Sequence, residues 1–402
     1  MRPDTVWSML IVLAASLTVS SLVPRMIGYV VVSGVYALFV GVLLATDRFA
    51  VIYHWAFLPL VMTIWLVFAL VTLLDPTGAG IVRLGAFVVI TGINLFVVPA
   101  VLNRSAFCDT LSYLAGLFVL IGLLTVFIGT YGIGGLSIAP WHVSRDFFGV
   151  TVSTPLSIFD NPNYLAAFST IGAIAAGDVY TRSRTPLVAG LIGLNALGVV
   201  LAGGRAALLA LVVAGGLYIV YRFLGRSSMA LCIGIGGIAV VAGFAMAFKL
   251  VPGPSVVANV DLSHRRIFWQ GAYQAILSRP VFGWGPGNDI HVISQYVNGA
   301  RVNATHNSYL RMYLISGVLG GGAYLLLSLA AVVSGLRNTR PRTVFVFLLL
   351  IVFLVLQLFA GMTMFGLSLL SMLGAMFIGY IQAEPESATR VEIGTEIRRR
   401  VG

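Results

Sequence analysis

His306-Asn307-Ser308-Tyr309-Leu310-Arg311-Met312-Tyr313-Leu314-Ile315-Ser316-Gly317-Val318-Leu319-Gly320 marks the point where a polar, arginine-bearing segment gives way to a long apolar run. An apolar run of about 20 residues is what a helix needs to cross the hydrocarbon core of a bilayer. The stretch therefore reads as the start of a membrane helix with an imidazole and an amide at its mouth. Ionisable groups at a membrane boundary are costly to place, and their default explanation is a functional site.

The pattern repeats along the chain. Of 402 residues, 59% are hydrophobic and 9% charged, and the mean hydropathy is +1.00. A soluble domain needs about 25% charged residues to cover its surface, so this composition excludes one. Hydropathy predicts an all-α polytopic membrane protein of about 12 transmembrane helices. They begin near Val6, Ile27, Ala56, Leu84, Leu111, Tyr164, Pro186, Ala206, Met229, His306, Thr343 and Met364. The first run, Val6 to Val23, lacks an Ala-x-Ala-like cleavage site before Pro24 and Arg25 and is followed at once by another span, so it reads as a retained helix. Residues 1–382 form one transmembrane domain, and 383–402 are expected to be a disordered cytoplasmic tail.

The net charge of +11 is carried by arginine, with Lys249 the single lysine. In a soluble chain this would suggest nucleic acid. Here the arginines fall between spans, so membrane lipid is the expected neighbour and nucleic acid is not. Arg48, Arg104, Arg182, Arg184, Arg222, Arg226, Arg337, Arg340 and Arg342 lie in short even-numbered connections. By the positive-inside rule those connections and both termini are cytoplasmic. Two external segments remain, about 131–163 and 251–305. In the second, Ser263 to Ser278 reads as a short helix stopped by Pro280, with Phe268 and Trp269 suited to the membrane interface. Arg205, Arg265, Arg266, Arg279, Arg301 and Arg311 break the inside bias. External arginines beside a membrane surface call for a fixed anion.

Each candidate has a plain alternative. A neutral His306 can take a proton from a hydroxyl, and nearby arginines would keep it neutral; alternatively it sits in the headgroup zone while Asn307 caps a helix. Arg205 follows Gly203 and Gly204 at the outer start of a span, where a guanidinium can fork onto a diphosphate or snorkel to lipid. Arg265 and Arg266 point about 100° apart on a helix, so either one is a ligand contact and the other a surface charge, or both are solvated charges. Asn161 and Asn163, around Pro162, start a helix and could also bond a sugar hydroxyl. Gly283-Trp284-Gly285-Pro286-Gly287-Asn288 lacks the lysine and strand–helix context of a nucleotide loop and reads as a tight turn. Cys108 and Cys232 map near the cytoplasmic face, where a disulfide is not expected. No acidic cluster or external His-x-x-x-His suggests a metal site, and no cofactor is expected.

Taken in order, these pieces resemble the O-antigen ligase and polymerase superfamily of bacterial envelope membrane proteins. The ligase-type signature is His, then Asn, Ser or Gln, then nine residues, then Gly-x-x-Gly; His306, Asn307, Gly317 and Gly320 meet it. Asn161-Pro162-Asn163, Gly203-Gly204-Arg205, Arg265 with Trp269, and Pro280 with Gly283 and Gly285 are similar to further family blocks. The resemblance implies a glycosyltransferase C-like membrane fold at the bacterial inner membrane with its active site facing the periplasm. It implies a polyprenyl (undecaprenyl) diphosphate-linked glycan as donor and a sugar hydroxyl of lipid A–core as acceptor, in metal-independent chemistry. On that basis His306 is the expected base. Arg205 with Arg265 or Arg266 would hold the diphosphate, and Asn307, Tyr309, Asn161 and Asn163 would orient base or sugar. A polysaccharide polymerase of the same superfamily is the alternative, and a transporter or flippase a more distant one.

Overall fold

The structure, a computed structural model, describes residues 2–74, 76, 78–133, 135–147, 149–247, 251–254, 265–297 and 305–392. The described chain is mostly helical. Five helices are long and apolar enough to cross a membrane: Arg25–Ala45, Gly80–Val101, Arg104–Ile128, Arg205–Met246 and Ser308–Asn338. Five shorter apolar helices join them: Pro3–Leu17, Leu58–Leu74, Pro186–Ala202, Val344–Gln357 and Leu369–Ala383. Pro162–Ser183 is buried along nearly its whole length and packs against Arg104–Ile128 and Pro186–Ala202. Its alanines, glycines and hydroxyl residues suit it to that position, because small side chains let neighbouring backbones approach closely.

All twelve expected span starts fall inside, or within a few residues of, a helical segment. Two of the helical segments are interrupted, one where hydropathy sets a boundary between spans and one where it does not. Arg205–Ala247 breaks at Gly225 (φ 83°, ψ −178°), between the two spans expected there. Ser308–Asn338 breaks at Gly317 (φ 61°, ψ −163°), where one continuous helix was expected. Tyr309 and Tyr324 lie 5.9 Å apart, ring to ring. A straight helix would hold them about 22 Å apart at 1.5 Å per residue, so residues 308–316 fold back against residues 318–338 as a hairpin. The backbone groups opened at its tip are satisfied by the segment 280–285. Trp284 and Gly285 donate amides to the carbonyls of Leu314 and Ile315 (2.9 and 3.0 Å), and Val318 donates to Pro280 (2.7 Å).

The glycines that follow Gly317 differ in what they face. A Cβ at Gly320 or Gly321 would strike Ser316 or Tyr313, so both face the other arm of their own hairpin, while Gly322 has open space around it. Gly283, Gly285 and Gly287 all have positive φ (71°, 82° and 101°), the tight turn expected of that stretch.

Other expectations change. The segment 131–163, expected to be external, contains two β-hairpins, Tyr131–Ile133 with Leu136–Ile138 and Ser144–Phe147 with Val150–Ser153. Gly135 and Gly149, both at φ 84°, supply the turns. The disordered tail is corrected as far as Glu392: Thr389–Glu392 pairs antiparallel with Ala50–Tyr53, while 393–402 lie outside the described residues. Arg104 bonds Glu384, and Asp4 lies 3.9 Å from Arg48 and accepts the Asn103 amide. These contacts gather one end of the bundle. At the opposite end Ser21 donates to Ile158 (2.9 Å), and Arg25 pairs with Asp160 (3.0 Å).

Candidate active site

His306 sits in the left-handed region (φ 50°), rare for a residue with a side chain. The next residue, Asn307, returns to extended backbone and caps the helix: its side-chain oxygen accepts the Leu310 amide (2.9 Å). Its side-chain nitrogen donates to the Leu358 carbonyl (3.1 Å). Ser308 donates to Ala360 and Met362. Arg311 pairs with Asp289 (2.8 Å) and bonds the Gly361 carbonyl (2.7 Å). The turn that carries His306 is thus pinned to the chain after Val344–Gln357. Strain held by surrounding bonds in this way is characteristic of functional sites.

The half-buried imidazole stacks on Phe268, centroids 6.1 Å apart and planes 21° from parallel. Phe268 comes from Arg265–Ser278, the short helix expected from Ser263; residues 261–264 lie outside the described residues. Trp269, beside it, donates its indole N–H to the Thr305 carbonyl (3.0 Å) and packs on Phe244. The assignment of both rings to the membrane interface is corrected. They are buried against the His306 turn, where the indole N–H finds its acceptor, and Ile267, Tyr273 and Leu277 are the exposed large apolar residues of that helix.

The sequence left open which of two adjacent arginines faces the site. Burial lowers the pKa of the Arg265 guanidinium, and the charge of Arg205 lowers it further. Burial, with the charge of Arg265 second, likewise holds the His306 imidazole below the ordinary histidine value. Arg265 therefore lies within electrostatic reach of both Arg205 and His306. Residues from the start of one helix, the start of another and the turn before a third are brought to one place, with His306 held neutral at neutral pH.

The remaining expected residues divide. Asn161 caps Pro162–Ser183 by accepting the Asn163 amide (2.9 Å). Asn163 is exposed, its side-chain oxygen near Gly204 and so beside the start of the Arg205 helix. Both polar atoms of Asn307 bond backbone and so hold the His306 turn, an arrangement in keeping with orienting the base. Tyr309 packs ring to ring on Tyr324. Arg301 lies outside the described residues. No group of three or more acids, histidines or cysteines is placed to hold a metal among the described residues.

Arg265 thus links a second guanidinium, Arg205, and a half-buried imidazole, His306, through charge, an arrangement suited to an anionic leaving group and a hydroxyl that must lose its proton. Residues 188–325 match the O-antigen ligase family, whose members are membrane glycosyltransferase-type enzymes, ligases and polymerases. That stretch contains Arg205, Arg265 and His306. No curated protein matches the chain. A solved chain described as "Structural coordination of polymerization and crosslinking by a peptidoglycan synthase complex" is similar over 82% of this chain and 97% of that one, at 16% identity and a TM-score of 0.37. A likeness at that score carries no argument.

Proposed function

We propose, from the match of residues 188–325 to the O-antigen ligase family, that this chain transfers a glycan from a polyprenyl diphosphate donor to a sugar hydroxyl of lipid A–core. The observation that carries the reading is the convergence of Arg205, Arg265 and His306, with the imidazole kept neutral. The reaction runs at the periplasmic face of the inner membrane, with both termini cytoplasmic and all twelve helical segments crossing or entering the bilayer. The gathering of Asp4, Arg48, Arg104 and Glu384 at the end opposite the cluster supports that orientation.

In the reaction the acceptor oxygen attacks the anomeric carbon from the face opposite the diphosphate. The new carbon–oxygen bond forms as the bond to the diphosphate breaks, and the electron pair leaves with the diphosphate. His306 takes the hydroxyl proton as general base. Arg205 and Arg265 stabilise the charge that develops on the leaving oxygens, and preorganised cations are most effective in a site shielded from water. One displacement inverts the anomeric configuration. The charge stabilisation comes from arginine, so the chemistry is metal-independent. Asn163 is placed to reach the sugar, and Asn307 fixes the base.

The test uses purified full-length protein, a polyprenyl-diphosphate oligosaccharide and excess chelator, with and without lipid A–core. Free polyprenyl diphosphate and product mass are followed for wild type and His306→Ala. Glycan appearing on lipid A–core, and absent with the variant, supports the ligase. Ladders from donor alone assign polymerisation by the same residues. Turnover in neither arm, with donor flux in proteoliposomes, would overturn the enzyme reading.

A further inference from the structure

Arg145 takes no part in the chemistry above, yet it lies against the same helix start. It stands on the Ser144–Phe147 strand with its guanidinium directly over Gly203; a Cβ at Gly203 would fall on the guanidinium carbon. Gly203 is also left-handed (φ 65°) and ends Pro186–Ala202, so glycine serves both the turn and the arginine above it. Arg145, Asp146, Gly203, Gly204, Arg205 and Leu208 line a cavity of about 260 Å³. The helix that begins at Arg205 turns its N-terminal amides toward the same turn, adding partial positive charge.

The polar inventory of this cavity is unbalanced. The Nε of Arg145 is buried without a hydrogen-bond partner. Asp146, the acid on the wall, accepts the Gly149 amide of its own hairpin (2.7 Å), and among the described residues neither Arg145 nor Arg205 forms an ion pair. Two guanidinium groups facing one cavity, with the single carboxylate on its wall ion-paired to neither, are stable together once an anion bridges them.

We infer that Arg145 binds the diphosphate of the lipid donor, forking onto its oxygens from the hairpin side while Arg205 holds it from the helix side. The inference rests on the diphosphate reading of Arg205 above. It gives the Ser144–Ser153 hairpin a function as a clamp over the leaving group, and it gives Gly203 the function of admitting the Arg145 guanidinium to the cavity.

The test measures dissociation constants of polyprenyl diphosphate and polyprenyl monophosphate for the full-length protein in detergent micelles. Arg145→Ala, Arg145→Lys, Gly203→Ala and Arg205→Ala are compared with wild type. Removing one charge-assisted hydrogen bond to the diphosphate weakens binding by about 10–100-fold. That weakening is expected for Arg145→Ala, with a smaller one for Arg145→Lys and little change for the monophosphate. Gly203→Ala is expected to follow Arg145→Ala although the arginine is intact. Unchanged diphosphate affinity in Arg145→Ala beside weaker binding in Arg205→Ala overturns this inference alone, whereas unchanged affinity in both overturns the diphosphate reading as well. If Arg145→Ala does not fold, Arg145→Lys decides: wild-type affinity there overturns the forked contact.

Discussion

Tyr309 packs ring to ring on Tyr324 because the chain reverses at Gly317 between them. The apolar run after His306 is therefore two antiparallel segments, and the membrane span proper starts at Val318. Tyr324 lies about 9 Å along that span at 1.5 Å per residue, so the His306 turn, at the base of the short arm, lies at a similar distance below the hairpin tip.

Gly317→Ala tests the reversal. The backbone at φ 61° and ψ −163° is a region essentially reserved for glycine, and occupying it with a side chain costs about 1–3 kcal/mol. A Cβ would also overlap the Val281 backbone, which cannot move without releasing the amides that cap the tip. We expect a destabilisation of at least that size by thermal unfolding in detergent. Gly322→Ala, with open space around it, should leave the transition within about 0.5 kcal/mol. Equal behaviour of the two variants would refute the hairpin.

Arg265→Ala and Arg266→Ala should separate sharply. Arg265 is electrostatically coupled to Arg205 and His306, and losing one preorganised donor to a developing charge lowers turnover by about 10²–10³-fold. Arg266→Ala should retain turnover close to wild type. The readout is initial rate at saturating donor, with Arg205→Ala as the reference for removal of a guanidinium from the diphosphate.

The positions of the helical segments were largely legible, because long apolar runs with few charges form helices where backbone polar groups must be satisfied internally. His306, Arg205 and the Arg265–Arg266 pair were also legible, as polar groups where such groups are costly. The reversal at Gly317 was not, since a glycine inside an apolar run fits a continuous helix equally well and only the amides of Trp284 and Gly285 make the turn tolerable. The choice of Arg265 depended on how its helix docks, which adjacent residues on one helix cannot reveal. Arg145 became visible only where a hairpin and a helix end distant in sequence lie against each other at Gly203.

Asn307 offers a separation of support from chemistry. Asn307→Ala removes the helix cap and the bond to the Leu358 carbonyl together, and a cap alone is worth about 0.5–2 kcal/mol. Asn307→Asp keeps an acceptor for the Leu310 amide but turns a carboxylate toward the Leu358 carbonyl, replacing a donor with a repelling oxygen. On cap preference alone aspartate matches asparagine. We therefore expect Asn307→Asp to be destabilised clearly in thermal unfolding. Wild-type stability with abolished turnover would instead make Asn307 a direct substrate contact.

The protonation of His306 yields a test by pH. Burial and the Arg265 charge favour the neutral ring, so its pKa in the free protein lies below the ordinary value. A general base must be unprotonated, so the rate falls as pH drops through that lowered pKa and is flat above it until another group titrates. Binding a diphosphate between the arginines brings negative charge near the ring and raises its pKa again. The acid limb of kcat, which reports the bound complex, should therefore lie at higher pH than the limb of kcat/KM, which reports the free protein. In Arg265→Gln the kcat/KM limb should move to higher pH, by less than the full displacement because burial is the larger cause and remains. Profiles that do not move on substitution, and that coincide for kcat and kcat/KM, would remove His306 as the titrating base.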